Sequence, residues 1–355
     1  MRAVEFLSSC APVNSSTNLS GLSHIMAKDL LEPSPLTWIG SDRRLARRVA
    51  RPVRDFLHIE AAGGILLLVA TAAALLWANS PWDDIYHEIL EARVVVQFGD
   101  LLTLDLNVEE WVNDALMAIF FFVVGLEIKR ELVVGELADP RAAALPAVAA
   151  LGGMVVPALL YTLLNAGGPG SSGWGIPMAT DIAFAVGVVS LLGSKVPSAM
   201  KVFLLTLAIV DDIGAIIVIA VFYTNDLSVG WLLIALILVG VVVAMKAVRI
   251  WYIPAYVLVG GFVWLAVFES GVHATIAGVV LGLLTPARPL RTRPPIDDGI
   301  VGEVIGPGAS TAAQVRRASF EVRETISVSE RLDDVLHPFT GYIIIPVFAL
   351  ANAGI

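Results

Sequence analysis

Blocks of about twenty consecutive apolar residues constrain this chain more than any other feature, because a helix of that length matches the roughly 30 Å hydrocarbon core of a bilayer. The blocks fall at Ala61 to Asn79, Trp111 to Leu126, Ala143 to Leu164, Ile176 to Leu192, Val202 to Tyr223, Val229 to Met245, Ile253 to Phe268, Val272 to Leu284 and Pro338 to Ile355. They predict an all-α polytopic membrane protein with about nine spans, embedded in the lipid bilayer. The net charge of −9 sums tails and loops on both sides of the membrane, so it says little about partners except that a nucleic-acid binder is excluded. A single cysteine, Cys10, excludes an internal disulfide framework and a cysteine-rich metal site.

The flanks divide the chain. Residues 1–56 read as a disordered tail ending in a basic cluster, Arg43, Arg44, Arg47, Arg48, Arg51 and Arg54. Positive residues before a first span hold that side in the cytoplasm, which places the N-terminus inside. With that orientation, Lys and Arg residues after Arg54 fall on the cytoplasmic side, Arg93 excepted. Residues 57–286 form the membrane domain with spans one to eight, 287–336 a cytoplasmic loop, and 337–355 span nine. On the opposite, periplasmic side, Val94 to Leu106 alternates about Gly99-Asp100 and predicts a small β-hairpin. Its edge suits pairing with a second copy in a homodimer, and packing on the chain's own helices is the other use.

Acids at membrane depth carry the chemistry. Asp211 and Asp212 lie about 15 Å along the fifth run, near the bilayer midplane. A carboxylate there costs about 2.5–3.5 kcal/mol on insertion scales, and such residues ordinarily mark ion or proton pathways. Span four opens with Gly175 and Pro177, a poor start for a continuous helix, and Thr180 and Asp181 are good caps for a half-helix beginning after them. A span interrupted in this way points to a transporter's ion site. Neighbouring residues on a helix point about 100° apart, so Asp211 and Asp212 divide their labour: one binds a cation, the other a buried partner. A proton and a hard cation then compete for the same carboxylate, which is an exchange mechanism if the site opens to one side at a time.

The runs Ala179-Thr180-Asp181-Ile182-Ala183-Phe184-Ala185, Leu207-Ala208-Ile209-Val210-Asp211-Asp212-Ile213-Gly214-Ala215, Asn113-Asp114-Ala115-Leu116-Met117-Ala118, Gly125-Leu126-Glu127-Ile128-Lys129-Arg130-Glu131-Leu132 and Ser270-Gly271-Val272-His273-Ala274-Thr275 together resemble the bacterial NhaA Na⁺/H⁺ antiporters. The resemblance implies an NhaA-like bundle in the bacterial inner membrane, with a broken helix at span four. Asp212, with Asp211, would bind transported Na⁺ or Li⁺ in electrogenic exchange for H⁺, with Thr180 and Asp181 at the crossing of two broken helices and no cofactor. It further implies a pH-responsive group of Glu127, Arg130, Glu131, His273, Asp333 and His337, with Asp334 beside it.

The same family has about twelve spans, and its last three supply a second broken helix and a lysine that pairs with the acid matching Asp211. This sequence reads as the first nine, so the expectation is that residues 1–355 alone exchange Na⁺ poorly. The alternative is a truncated, non-transporting remnant or a subunit completed by a second polypeptide. An enzyme is the more distant alternative: intramembrane aspartyl proteases also set acids on neighbouring spans, and Pro157-Ala158-Leu159 matches a short motif of theirs. That motif follows their aspartates and here precedes them.

Overall fold

A computed structural model describes residues 62–99, 102–168, 170–180, 189, 196–224, 227–248, 250, 252–289, 311, 320 and 325–354. The expected tail at 1–56, Asp181 with most of span four, and most of the 287–336 loop lie outside the described residues.

Among the described residues the architecture is helical with one hairpin. Helix α1, Ala62–Ala78, turns by 113° into α2, Asp83–Glu91. Strands β1, Arg93–Phe98, and β2, Leu102–Asn107, follow, then α3, Val108–Val134, and α4, Pro140–Asn165. After a 3₁₀ segment at Ser171–Met178 come α5, Ser198–Phe222, α6, Val229–Ala247, α7, Ile253–Glu269, and α8, Thr275–Leu284. The last helix is α9, Val328–Asn352.

Five of these, α3, α4, α5, α6 and α9, are long and apolar enough to cross a membrane, and a sixth span results if the bent α1–α2 pair counts as one. Helix α8 is shorter than the run at Val272 to Leu284 suggests: its 10 residues reach only about 15 Å, half a bilayer core. Helices α4 and α6 carry apolar residues on their outer faces. Leu145, Val148, Leu159 and Leu163 on α4, and Leu233, Leu236 and Ile237 on α6, all face outward. Such faces would be untenable in water and suit a multi-pass protein whose surroundings are acyl chains.

The hairpin forms where alternation predicts it. β1 and β2 pair antiparallel from Arg93↔Asn107 to Phe98↔Leu102, and Gly99 takes the positive φ of 59° that the turn requires. Leu104 and Leu106 are buried, whereas Val94 and Val95 are exposed. Asn107 ends β2 and caps α3 at once: its side chain accepts from Glu110 N at 2.7 Å and its own N–H donates to Glu110 Oε2 at 2.8 Å. Helix α2 lies in a stretch that reads as loop in the sequence. Its Tyr86 is buried and donates a hydrogen bond to Leu350 O at 2.8 Å, fastening α2 to the end of α9.

Among the described residues, helices α3 and α8 approach each other most closely. A Cβ on Gly278 would run into the carbonyl oxygen of Ala118, one on Gly282 would sit 2.5 Å from Phe122 O, and one on Gly125 2.7 Å from Val279 O. Between lipid-solvated helices there is little hydrophobic drive, so close backbone approach through small residues spaced by four holds the pair. Lys246, at the end of α6, donates to Leu284 O at 2.9 Å and so caps the C-terminus of α8.

The 3₁₀ segment is fixed at both its ends. Tyr223 Oη accepts from Gly175 N at 3.0 Å and donates to Ser172 O at 2.9 Å, while Met178 packs with Met154 and Ala158 of α4. Removing that hydroxyl takes away both of its hydrogen bonds to the segment's backbone. Tyr223→Phe is therefore expected to lower stability by about 1–3 kcal/mol, seen as a lower thermal midpoint in detergent. An unchanged midpoint would mean that the segment is held by packing alone.

Candidate functional site

Helix α5 is mostly apolar, and Asp211 lies well inside it. At 1.5 Å per residue the carboxylate is roughly 20 Å from Ser198 and roughly 16 Å from Phe222. Asp211 is only 3 % exposed and sits beside buried Ala208 and Ile209. The 3₁₀ segment runs toward it: after Met178 the backbone becomes extended at Ala179, with φ −70° and ψ 138°, and this step presents Thr180 to α5. The Thr180 hydroxyl donates a hydrogen bond to Asp211 Oδ2. Gly214, one turn on, admits the Met154 side chain where a Cβ would collide with its sulfur, and so lets α4 close over this part of α5.

That geometry brings together Thr180 and Asp211, which belong to two separate runs of the sequence. Asp212 is the next residue on α5, half-buried, and points to a different side of the helix. Asp181 lies outside the described residues.

Three more acids stand at a cavity of about 370 Å³ near the start of α5, lined by Glu131, Glu136, Asp139, Val202, Leu205 and Thr206. Glu131 serves the local backbone there, accepting from Glu136 N at 2.8 Å. Asp139 caps α4 by accepting from Arg141 N at 3.0 Å. Glu136 and Asp139 have no place in the reading of the sequence. Their signal was an acid every three to five residues after Glu131.

The residues expected to respond to pH do not form one group. Glu127 and Arg130 of α3 meet Asp333 and His337 of α9: Arg130 Nη1 lies 3.4 Å from Asp333 Oδ2, and His337 Nδ1 lies 3.5 Å from Glu127 Oε1 and 3.9 Å from Asp333 Oδ1. Glu131 turns away to the cavity. His273 is exposed before α8, near enough to Asp114 for their charges to interact. Asp114 itself sits in a π-helical turn at Trp111–Leu116, its carbonyl accepting from Trp264 Nε1 at 2.9 Å. Its neighbour Asn113 exchanges side-chain hydrogen bonds of 3.1 and 2.9 Å with Asn352 of α9. Turns of this kind concentrate at functional sites.

Lipid-facing helices, one of them carrying a buried carboxylate held by a hydroxyl near its middle, define a multi-pass membrane protein. The chain belongs to the family described as Na⁺/H⁺ antiporter 1, whose profile matches residues 54–355. It is 50 % identical over 321 residues to the Na⁺/H⁺ antiporter NhaA 2 of Myxococcus xanthus, an alignment covering 88 % of this chain and 68 % of that protein. It is 45 % identical to NhaA 3 of Frankia alni, over 87 % of this chain and 66 % of the relative. With the NhaA of Rhodopirellula baltica it shares 47 % identity over 87 % of this chain and 71 % of the relative. The chain thus spans about two thirds of the length of these relatives. The family is one of transporters, so the protease alternative lapses.

Proposed function

We propose that this protein exchanges Na⁺ for H⁺ across the membrane as a secondary antiporter, and that Asp211 and Asp212, with Thr180 and Asp181, hold the transported ion. The observation that carries this reading is the hydrogen bond from Thr180 to the buried Asp211 carboxylate. A hard monovalent cation is bound by oxygens, and a threonine hydroxyl that donates its proton to a carboxylate keeps lone pairs free to face a cation beside it. The same carboxylate binds a proton when the cation leaves. A ligand that must be deprotonated to bind its ion makes affinity fall with pH and releases protons on binding, which is the coupling an antiporter needs.

The extended step at Ala179–Thr180 supports a broken helix at span four, with unsatisfied backbone groups aimed at the ion. The acidic cavity beside α5 supports a cytoplasmic approach, because a cleft lined by one sign of charge raises the local cation concentration. Thr206 is at the cavity and Asp211 is five residues on along the same helix, roughly 7.5 Å away. We take the N-terminus as cytoplasmic, the hairpin as periplasmic, and the membrane as the bacterial inner one. The exposed Val94 and Val95 leave the hairpin available to a second copy of the chain. Transport of Li⁺ as well as Na⁺, electrogenic stoichiometry, and pH response through Glu127, Arg130, Glu131, His273, Asp333 and His337 complete the reading.

Everted vesicles from antiporter-deficient cells, followed by Na⁺-dependent recovery of a pH-gradient dye, test it. Thr180→Ala removes a hydroxyl bonded to a carboxylate, worth about 1.5–3 kcal/mol, so the Na⁺ half-saturation concentration should rise by about 10- to 100-fold while Thr180→Ser stays close to the parent. Equal half-saturation in both variants would remove Thr180 from the site.

A further inference from the structure

We propose that Glu127, Asp333 and His337 form a binding site for one divalent transition-metal ion of borderline softness, Zn²⁺ above all, bridging α3 and α9. One ligand atom from each lies within 4.8 Å of the others. A tetrahedral Zn²⁺ with bonds of about 2.0–2.2 Å sets its ligand atoms about 3.3–3.6 Å apart, so the 3.5 Å from His337 Nδ1 to Glu127 Oε1 already fits, while the 3.9 Å to Asp333 Oδ1 and the wider spacing of the two carboxylates would have to close by rotation of the side chains. Asp333 and His337 stand at i and i+4 on one helical face, the spacing by which a helix offers two ligands to one ion.

A second observation points the same way. Asp333 Oδ1 is buried and accepts no hydrogen bond, although its other oxygen lies 3.4 Å from Arg130. An orphaned buried carboxylate oxygen is costly unless something binds it. His337 Nδ1 lies 3.9 Å from it, at ion-pair distance rather than hydrogen-bond distance. Charge favours a cation: Glu127, Asp333 and Asp334 outnumber Arg130 in the cluster. The His337 side chain is 67 % exposed, which gives an ion its route in and leaves the fourth position to water. An imidazole among the ligands selects against Mg²⁺ and Ca²⁺, which take oxygen.

Binding would tie the end of α3 to the start of α9, and it does not depend on the exchange reading, because it is measured without a gradient. Zn²⁺ is titrated calorimetrically into the full chain in detergent with Mg²⁺ in excess. One equivalent should bind, with affinity reduced at least about tenfold in His337→Ala and in Glu127→Gln and unchanged in His87→Ala. No saturable binding, or parental affinity in either cluster variant, overturns the proposal. Because His337 is mostly exposed and Glu127→Gln keeps its shape, thermal midpoints near the parent's should accompany the loss.

Discussion

Asp211→Asn is expected to abolish Na⁺-driven proton movement in everted vesicles while leaving the protein as stable as the parent, or more so. The amide keeps an oxygen to accept the Thr180 hydroxyl, so the local fold has little reason to change. What goes is a full negative charge. At 4 Å and an effective dielectric constant near 20, that charge is worth about 4 kcal/mol to a monovalent cation, or about 10³-fold in affinity. Asp212→Asn is expected to act in the same direction. The stability arm matters as much as the transport arm, because burying a carboxylate is costly and removing its charge relieves that cost. Lost exchange with a maintained thermal midpoint marks a residue kept for ion binding. Lost exchange with a collapsed midpoint would mark a structural acid instead.

Gly278→Leu should have the largest effect on folding. The Cβ alone would meet the carbonyl oxygen of Ala118, and a backbone atom in a helix cannot swing aside as a flexible side chain can. Overpacking ordinarily costs about 1–3 kcal/mol, and here the branched side chain must also drive α3 and α8 apart along a seam that includes Gly125 and Gly282. Lipid offers no hydrophobic drive to push them back together. Fluorescence-detected gel filtration of a tagged protein should show the monodisperse peak reduced about tenfold, near the limit at which a marginally stable fold is lost. Gly152→Ala on α4, where a Cβ meets nothing within 4 Å, should leave the peak unchanged. A normal peak for Gly278→Leu would mean that α3 and α8 separate without consequence.

Much of the helical frame was legible because lipid demands it. The runs at 202–223, 229–245 and 253–268 became α5, α6 and α7 with ends shifted by only a few residues, since a helix in hydrocarbon must satisfy its own backbone. The hairpin was legible because Gly99-Asp100 interrupts a two-residue alternation. Helix α2 was not, since Trp82 offers no side-chain cap and its short apolar face acquires meaning only when Tyr86 finds the end of α9. The start of α9 at Val328 had a local signal: Ser327 accepts from Glu330 N at 3.2 Å, a serine three residues before a glutamate. The apolar run beginning near Pro338 outweighed it.

At the candidate site, sequence picked out Thr180 and Asp211 for separate reasons, a cap and a midplane acid. That they bond to one another is a tertiary fact, set by the 3₁₀ segment and its anchor at Tyr223. The 100° step sends Asp211 and Asp212 to different sides of α5, and burial shows which of the two lies deeper. The grouping of Glu127 and Arg130 with Asp333 and His337, and the diversion of Glu131 to Glu136 N, depend on how α9 crosses α3, which no pattern within either helix encodes.

Competition between a sodium ion and a proton for the same two aspartates is tested most directly by calorimetric titration of Na⁺ into the detergent-solubilised full chain at several pH values, in buffers of differing ionisation enthalpy. Sodium should bind more weakly as the pH falls and expel protons into the buffer, and the variant carrying both Asp211→Asn and Asp212→Asn should show neither heat nor proton release. Sodium affinity that is indifferent to pH, or binding that survives in the doubly substituted protein, would contradict it.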